Sequence, residues 1–170
     1  LKSEPGQGSE FCFTIEMPVG NAEDIQEETS EEREGPCLLD YHILLAEDND
    51  LNAEIAQELL KMQGAVIQRA RNGKEAVEMF EKSRPKEIRA VLMDIQMPVM
   101  NGLEAARAIR KLGREDAVSI PIIAMTANSF KEDVDAAAAA GMDGFVTKPV
   151  DAEYLYQVLQ KAAASNKDSL

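Results

Sequence analysis

The sequence has no tryptophan, three tyrosines and five phenylalanines, so its core must be built from aliphatic side chains and methionine. Two cysteines occur, Cys12 and Cys37, far apart and in no C-x-x-C pattern. That argues against a disulfide scaffold and against structural zinc, and makes a reducing, cytoplasmic setting the expectation. Positive charge is scarce: 18 Lys and Arg stand against 31 Asp and Glu, for a net charge of −13. That argues against a nucleic-acid surface, because binding phosphate backbones needs clustered Lys and Arg. No apolar run is long enough to span a bilayer. Neither a secretory leader nor a starting methionine is visible, so a fragment of a longer chain is expected.

What is present falls into zones. Within residues 1–20, Phe11, Phe13 and Ile15 alternate with Cys12, Thr14 and Glu16, a strand-like period of two. A lone strand cannot bury itself, so this segment invites association, with homodimerisation among the options. Residues 21–36 carry seven acids and one base, the composition of a solvated, self-repelling linker. From Tyr41 onward, short apolar runs alternate with helical patterns. The runs are His42–Ala46, Ala65–Arg69, Ala90–Met93, Pro121–Met125 and Gly144–Thr147. Between them, Ile55, Leu59, Leu60 and Met62 recur at helical spacing, as do Ala76, Val77 and Phe80, then Leu103, Ala106, Ile109 and Arg110. Asp48 or Asn49 can cap the first helix, Ser129 the fourth and Asp151 the last, with Gly64 and Gly141 as stops. Five strand–helix repeats predict an α/β fold: a doubly wound, parallel, five-stranded (βα)5 sheet in the flavodoxin-like order 2-1-3-4-5.

In such sheets the chemistry gathers at the carboxyl ends of the strands, at the switch point between the first and third. Glu47 and Asp48 follow the first strand, Asp94 the third, Thr126 the fourth and Lys148 the fifth. Three carboxylates in one crevice repel one another unless a hard cation sits among them, and few oxygen ligands with room for water suit Mg²⁺. A carboxylate nucleophile, a metal, a cation and a hydroxyl donor together point to phosphoryl transfer. Asp94 is the expected nucleophile. Glu47 and Asp48 hold the metal, Lys148 neutralises charge and Thr126 donates to the attached phosphoryl group.

Ala-Glu-Asp-Asn at 46–49, Met-Asp-Ile-Gln-Met-Pro-Val-Met-Asn-Gly at 93–102, Met-Thr-Ala-Asn at 125–128 and Lys-Pro at 148–149 resemble response-regulator receiver domains, over roughly residues 42–164. The resemblance implies phosphorylation of Asp94, and Mg²⁺ on Glu47, Asp48, Asp94 and the backbone carbonyl of Gln96. It implies a switch pair of Thr126 and Phe145, and a cis Lys148–Pro149 bond. Gln96 and Asn128 are expected to tune the loss of the phosphoryl group. Gly6, Gly8, Ser9, Phe11 and Phe13 are similar to the closing segment of the ATP-binding domain of histidine kinases. The expected organisation is therefore a kinase remnant at 1–20, an acidic linker at 21–40, a receiver at 41–165 and a tail at 166–170, from a hybrid histidine kinase for which a membrane anchor elsewhere in the parent chain is one option. The implied partners are the phosphohistidine domain of a histidine kinase or a histidine phosphotransfer protein, with no nucleic acid and no membrane contact by the fragment.

Other readings fare worse. A haloacid-dehalogenase-like Mg²⁺ phosphohydrolase needs an acid two residues after its nucleophile, where Gln96 stands. An unphosphorylated receiver-like interaction module usually loses an acid or the lysine, and none is lost. An EF-hand starting at Asp48 wants Gly at 53 and Glu at 59, where Ala53 and Leu59 stand. His42 lacks the acid that follows the phosphorylated histidine of kinases and reads as a strand-start residue. The methionines at 93, 97, 100 and 125 read as packing.

Overall fold

A computed structural model describes residues 2–4, 8–10, 14, 38–127 and 131–165. The chain forms two compact units, Leu1–Arg33 and Glu34–Leu170. In the first, β1 (Lys2–Glu4) pairs antiparallel with β2 (Gly8–Glu10), Ser3 opposite Ser9. Neither strand has apolar alternation, so neither carries a periodic signal in the sequence. The strand expected at Phe11–Glu16 lies outside the described residues except for Thr14, which is exposed and in no regular element.

The second unit holds β3 (His42–Ala46), β4 (Val66–Ala70), β5 (Ala90–Asp94), β6 (Ile122–Thr126) and β7 (Gly144–Thr147) in one parallel sheet, ordered β4-β3-β5-β6-β7. Counted within this sheet, that is the expected order 2-1-3-4-5. Alternation along each strand divides the core between two faces. Leu44, Val91, Met93, Ile122 and Ala124 turn to the face covered by α2 (Gly73–Lys82), α3 (Gly102–Arg110), α4 (Glu115–Ser119) and α5 (Lys131–Ala139). Ile43, Leu45, Leu92, Ile123 and Val146 turn to α1 (Asp50–Met62) and α6 (Ala152–Ser165). Among the described residues no helix is long and apolar enough to cross a membrane.

Most helix ends carry the capping chemistry their sequences offer. Asn49 accepts from the Leu51 and Asn52 amides and starts α1, and Asp151 accepts from Tyr154 at the start of α6. Asn101 and Glu104 form a reciprocal capping box on α3. Gly64 and Gly141, at φ +84° and +86°, take the left-handed turn that releases the chain after α1 and α5. The cap expected from Ser129 lies outside the described residues.

Two expectations change. The inward face of α1 is Ala53, Ala56 and Leu60, while Ile55 and Met62 are exposed. Leu60 is buried as its spacing predicts, but the rest of the inward face is built from two alanines rather than from Ile55 and Met62. The short α4 was not anticipated. Its five residues are too few for a periodic signal, and two side chains fix it instead. Arg114 grips Asp116 through Nε–Oδ1 at 3.0 Å and Nη2–Oδ2 at 2.8 Å, and stacks 4.6 Å over the Phe80 ring. Its Nη1 donates to the Phe80 and Ser83 carbonyls at the end of α2. Asp116 Oδ2 also accepts from the amide of Lys86 at 2.7 Å, holding that residue at φ +64°.

Hydrogen bonding from Arg114 holds the Asp116 carboxyl below the usual carboxylate range, against the effect of burial. The fold thus favours the charged form. Its contribution is complete above the unfolded-state pKa of about 3.9 and is lost as pH falls through the lower folded-state value. Asp116→Asn is expected to lower stability at pH 7 by roughly 1.5–3 kcal/mol. The gap to wild type should narrow below about pH 4. Urea unfolding at both pH values checks this, and an equal gap at both would contradict it.

Candidate functional site

The site is assembled by strand ends. β3 and β5 are neighbours, with Ala46 level with Met93. One further step along that register sets Glu47 beside Asp94. Among the described residues, Glu47, Asp48 and Asp94 each offer a carboxylate oxygen within 4.8 Å of the others. Glu47 is 1 % and Asp94 6 % exposed, whereas Asp48 stands open at the mouth. Glu47 is pinned through Oε1, which accepts from Asn52 Nδ2 at 3.1 Å and from the Asn49 amide at 3.3 Å. Asp94 Oδ1 accepts from the Gln96 amide at 3.1 Å.

Lys148 joins these acids from the far side of the sheet, arriving from the end of β7. Its Nζ lies 2.7 Å from Asp94 Oδ2 and 2.5 Å from Glu47 Oε2. The second is a contact of charges, since Oε2 has no aligned hydrogen bond. Burial pushes the Asp94 carboxyl above the usual range, and Lys148 opposes that rise. Burial alone would depress the Lys148 ammonium, but its contacts with Asp94 and Glu47 leave its pKa raised. Lys148 therefore stays charged. The Lys148–Pro149 peptide is cis, as expected.

Thr126 ends β6, 7 % exposed, and its carbonyl accepts from the Lys148 amide at 2.7 Å. Ala124 is level with Phe145 and Thr126 with Thr147, so Thr126 and Phe145 occupy the same face of the sheet. Phe145 is partly buried against the core of that face. Gln96 follows Asp94 by two residues and is exposed. Asn128 lies outside the described residues. The site's carboxylates, lysine and threonine thus all stand at the ends of the strands that the sequence assigned them to.

The loop after Asp94 is held by glycines. Gly102 opens α3 so close to β5 that an added Cβ would lie 2.1 Å from the Asp94 carbonyl oxygen. Gly73, opening α2, donates to the Met100 carbonyl at 3.0 Å, and a Cβ there would meet the same oxygen at 2.6 Å. Between them, Val99 is held at φ +69°, an uncommon conformation for a β-branched residue, with the Met100 amide bonded back to the Pro98 carbonyl. Arg69, which sequence reasoning missed, clasps the backbone of the other acid-bearing loop. Nothing in its local sequence marks it, because an arginine on an edge strand ordinarily reads as solvated.

The chain matches the model of the response regulator receiver domain over residues 43–160. It is 38 % identical to the aerobic respiration control sensor protein ArcB of Escherichia coli K12 over 162 residues, 95 % of this chain and 20 % of that protein. A solved structure, the receiver domain of sensor histidine kinase PA1611 from Pseudomonas aeruginosa PAO1, has a magnesium ion coordinated in its active site cleft. It is 34 % identical with a TM-score of 0.66, covering 73 % of this chain and 98 % of its own. The receiver domain of Ssk1, solved with the Saccharomyces cerevisiae histidine phosphotransfer protein Ypd1, gives 27 % identity and a TM-score of 0.66. It covers 74 % of this chain and 90 % of that one. The chain spans 7 to 20 % of the length of such curated relatives as ArcB and a Dictyostelium discoideum hybrid kinase.

Gly102→Ala is expected to destabilise the fold by about 1–3 kcal/mol through backbone overpacking. It should also shift the amide resonances of Asp94 to Gln96 more than those of β7. Unchanged stability and resonances would show that the loop yields to a methyl group.

Proposed function

The chain belongs to the response regulator receiver domain family, and from that premise we propose that Asp94 accepts a phosphoryl group from a phosphohistidine, with Mg²⁺ held beside it. The observation that carries this reading is the meeting of three carboxylates and one lysine at neighbouring strand ends. Glu47, Asp48 and Asp94 offer hard oxygen donors close enough to share one small cation. The backbone carbonyl of Gln96 would be the further ligand. Bound there, Mg²⁺ would neutralise charge on the transferring group.

A carboxylate oxygen of Asp94 attacks phosphorus in line. The P–N bond to the imidazole breaks as the P–O bond forms, and the imidazole leaves with the electron pair. Lys148, already fixed at the carboxylate, follows the charge onto the phosphoryl oxygens. Thr126 then donates its hydroxyl to the product, and Phe145, on the same face of the sheet, turns with it. That couples the acyl phosphate to the surface around β7. Hydrolysis of the acyl phosphate returns the carboxylate. Gln96, exposed beside Asp94, and Asn128 tune that reset.

The partner that fits is the phosphohistidine domain of a histidine kinase or a histidine phosphotransfer protein, as the Ypd1 complex of a similar domain supports. We assign residues 1–20 to the end of a kinase ATP-binding domain, 21–40 to a linker, 41–165 to the receiver and 166–170 to a tail. The parent is a hybrid histidine kinase, with this module in the cytoplasm. Association through residues 1–20 into a homodimer belongs to the same reading.

The full chain incubated with acetyl phosphate and Mg²⁺ is expected to gain one phosphoryl group by intact mass spectrometry. Asp94→Asn should gain none, and a chelator should abolish the gain. If neither acetyl phosphate nor a phosphorylated histidine phosphotransfer protein labels the folded chain, an unphosphorylated interaction module becomes the better account.

A further inference from the structure

Arg69 is the next-to-last residue of β4, an edge strand, yet its side chain is only 17 % exposed. Its guanidinium is folded onto the loop between β3 and α1. Nε and Nη2 donate to the Glu47 carbonyl at 3.1 and 3.0 Å. Nη2 donates to the Asp48 carbonyl at 3.2 Å, and Nη1 to Asp50 Oδ1 at 2.6 Å. One rigid fork thus ties down residues 47, 48 and 50, two of which supply the acids of the crevice. The Glu47 amide, bonded to the Ala70 carbonyl at 3.1 Å, adds a fifth tie to the same strand end.

Such a clasp answers a specific difficulty. Asp48 is the exposed member of three mutually repelling carboxylates, and the loop that bears it is short. Left alone, its easiest relief is to swing into water. A planar guanidinium that binds two successive carbonyls fixes the peptide between them and so the direction in which the Asp48 side chain leaves the backbone. We propose that Arg69 is a positioning residue for the metal centre, holding Glu47 and Asp48 in the arrangement that receives Mg²⁺. This rests on the metal reading given above.

The proposal opposes the simple electrostatic expectation. Removing a cation from beside an acidic crevice would by charge alone tighten Mg²⁺, whereas removing a positioning clasp would loosen it. Arg71 separates the two, since its Nη1 reaches the same Asp50 Oδ1 at 3.0 Å from a largely exposed side chain, on the carboxylate rather than on the loop carbonyls. Isothermal titration of Mg²⁺ into the full chain is the measurement, on wild type, Arg69→Gln, Arg69→Lys and Arg71→Gln. Metal-free thermal melts of each run alongside it. Arg69→Gln is expected to weaken Mg²⁺ binding about tenfold or more. Arg69→Lys should recover part of the loss, and Arg71→Gln should leave affinity unchanged or tighter. Unchanged or tighter binding by Arg69→Gln would overturn the proposal while leaving the metal reading intact. So would equal weakening by Arg69→Gln and Arg71→Gln, or a lowered melting temperature of Arg69→Gln with unchanged affinity. A wild-type chain that binds no Mg²⁺ would sink the metal reading, and the proposal with it.

Discussion

Everything at the carboxyl edge of this sheet depends on the ammonium of Lys148 lying between Glu47 and Asp94. Burying two carboxylates side by side is costly, and burying them without a counter-charge more so. The bridging lysine removes the worst of that cost and, because it comes from the far end of the sheet, draws β7 into the same centre as β3 and β5. The residual penalty shows in the Asp94 carboxyl, which burial still pushes upward against the pull of Lys148. The buried carboxylate and the ammonium that offsets its charge therefore stand or fall together.

Around this centre the backbone has little slack. The turn after Asp94 is closed by the Gly102 amide on the Ile95 carbonyl and backed by Gly73 on the Met100 carbonyl. The turn after Glu47 is gripped by Arg69 on one side and by Asn52 and Asn49 on the other. Two loops that each present acids are therefore tied by different chemistry, one by the close approach that only glycine permits and one by a guanidinium fork. Away from the site, Arg110 and Arg114 perform similar work on carbonyls. Arg110 gathers the Gly141, Ala117 and Ile120 carbonyls, and with Arg114 it fixes the segment that carries α4.

Much of this was legible in the sequence because strand-end acids and apolar runs are local signals. The five strands, their order and the convergence of Glu47, Asp48, Asp94 and Lys148 follow from pattern and from the rule for parallel sheets. His42 does begin β3, and Met93, Met97 and Met125 are buried. What escaped was non-local or too short to be periodic. The five-residue α4 is fixed by Arg114 and Asp116, whose partners lie about thirty residues away. The clasp of Arg69 reaches back twenty-two residues, and no spacing rule relates the two ends. On α1 Leu60 faces the sheet as its spacing implies, but Ala53 and Ala56 complete that face, and alanine carries too weak an apolar signal to mark it.

The sheet order carries a consequence for the chain as it is being made. Synthesis runs from the amino end, so β3, β4 and β5 emerge first and can pair, and β6 and β7 then add in turn to one side. Lys148 emerges 54 residues after Asp94. A nascent chain of intermediate length therefore holds its acids on adjacent strands without their covalent counter-charge. Within this sheet β7 is the last strand to be made, so a domain synthesised only as far as β6 has the acids of the crevice but not the cation that lets them be buried together.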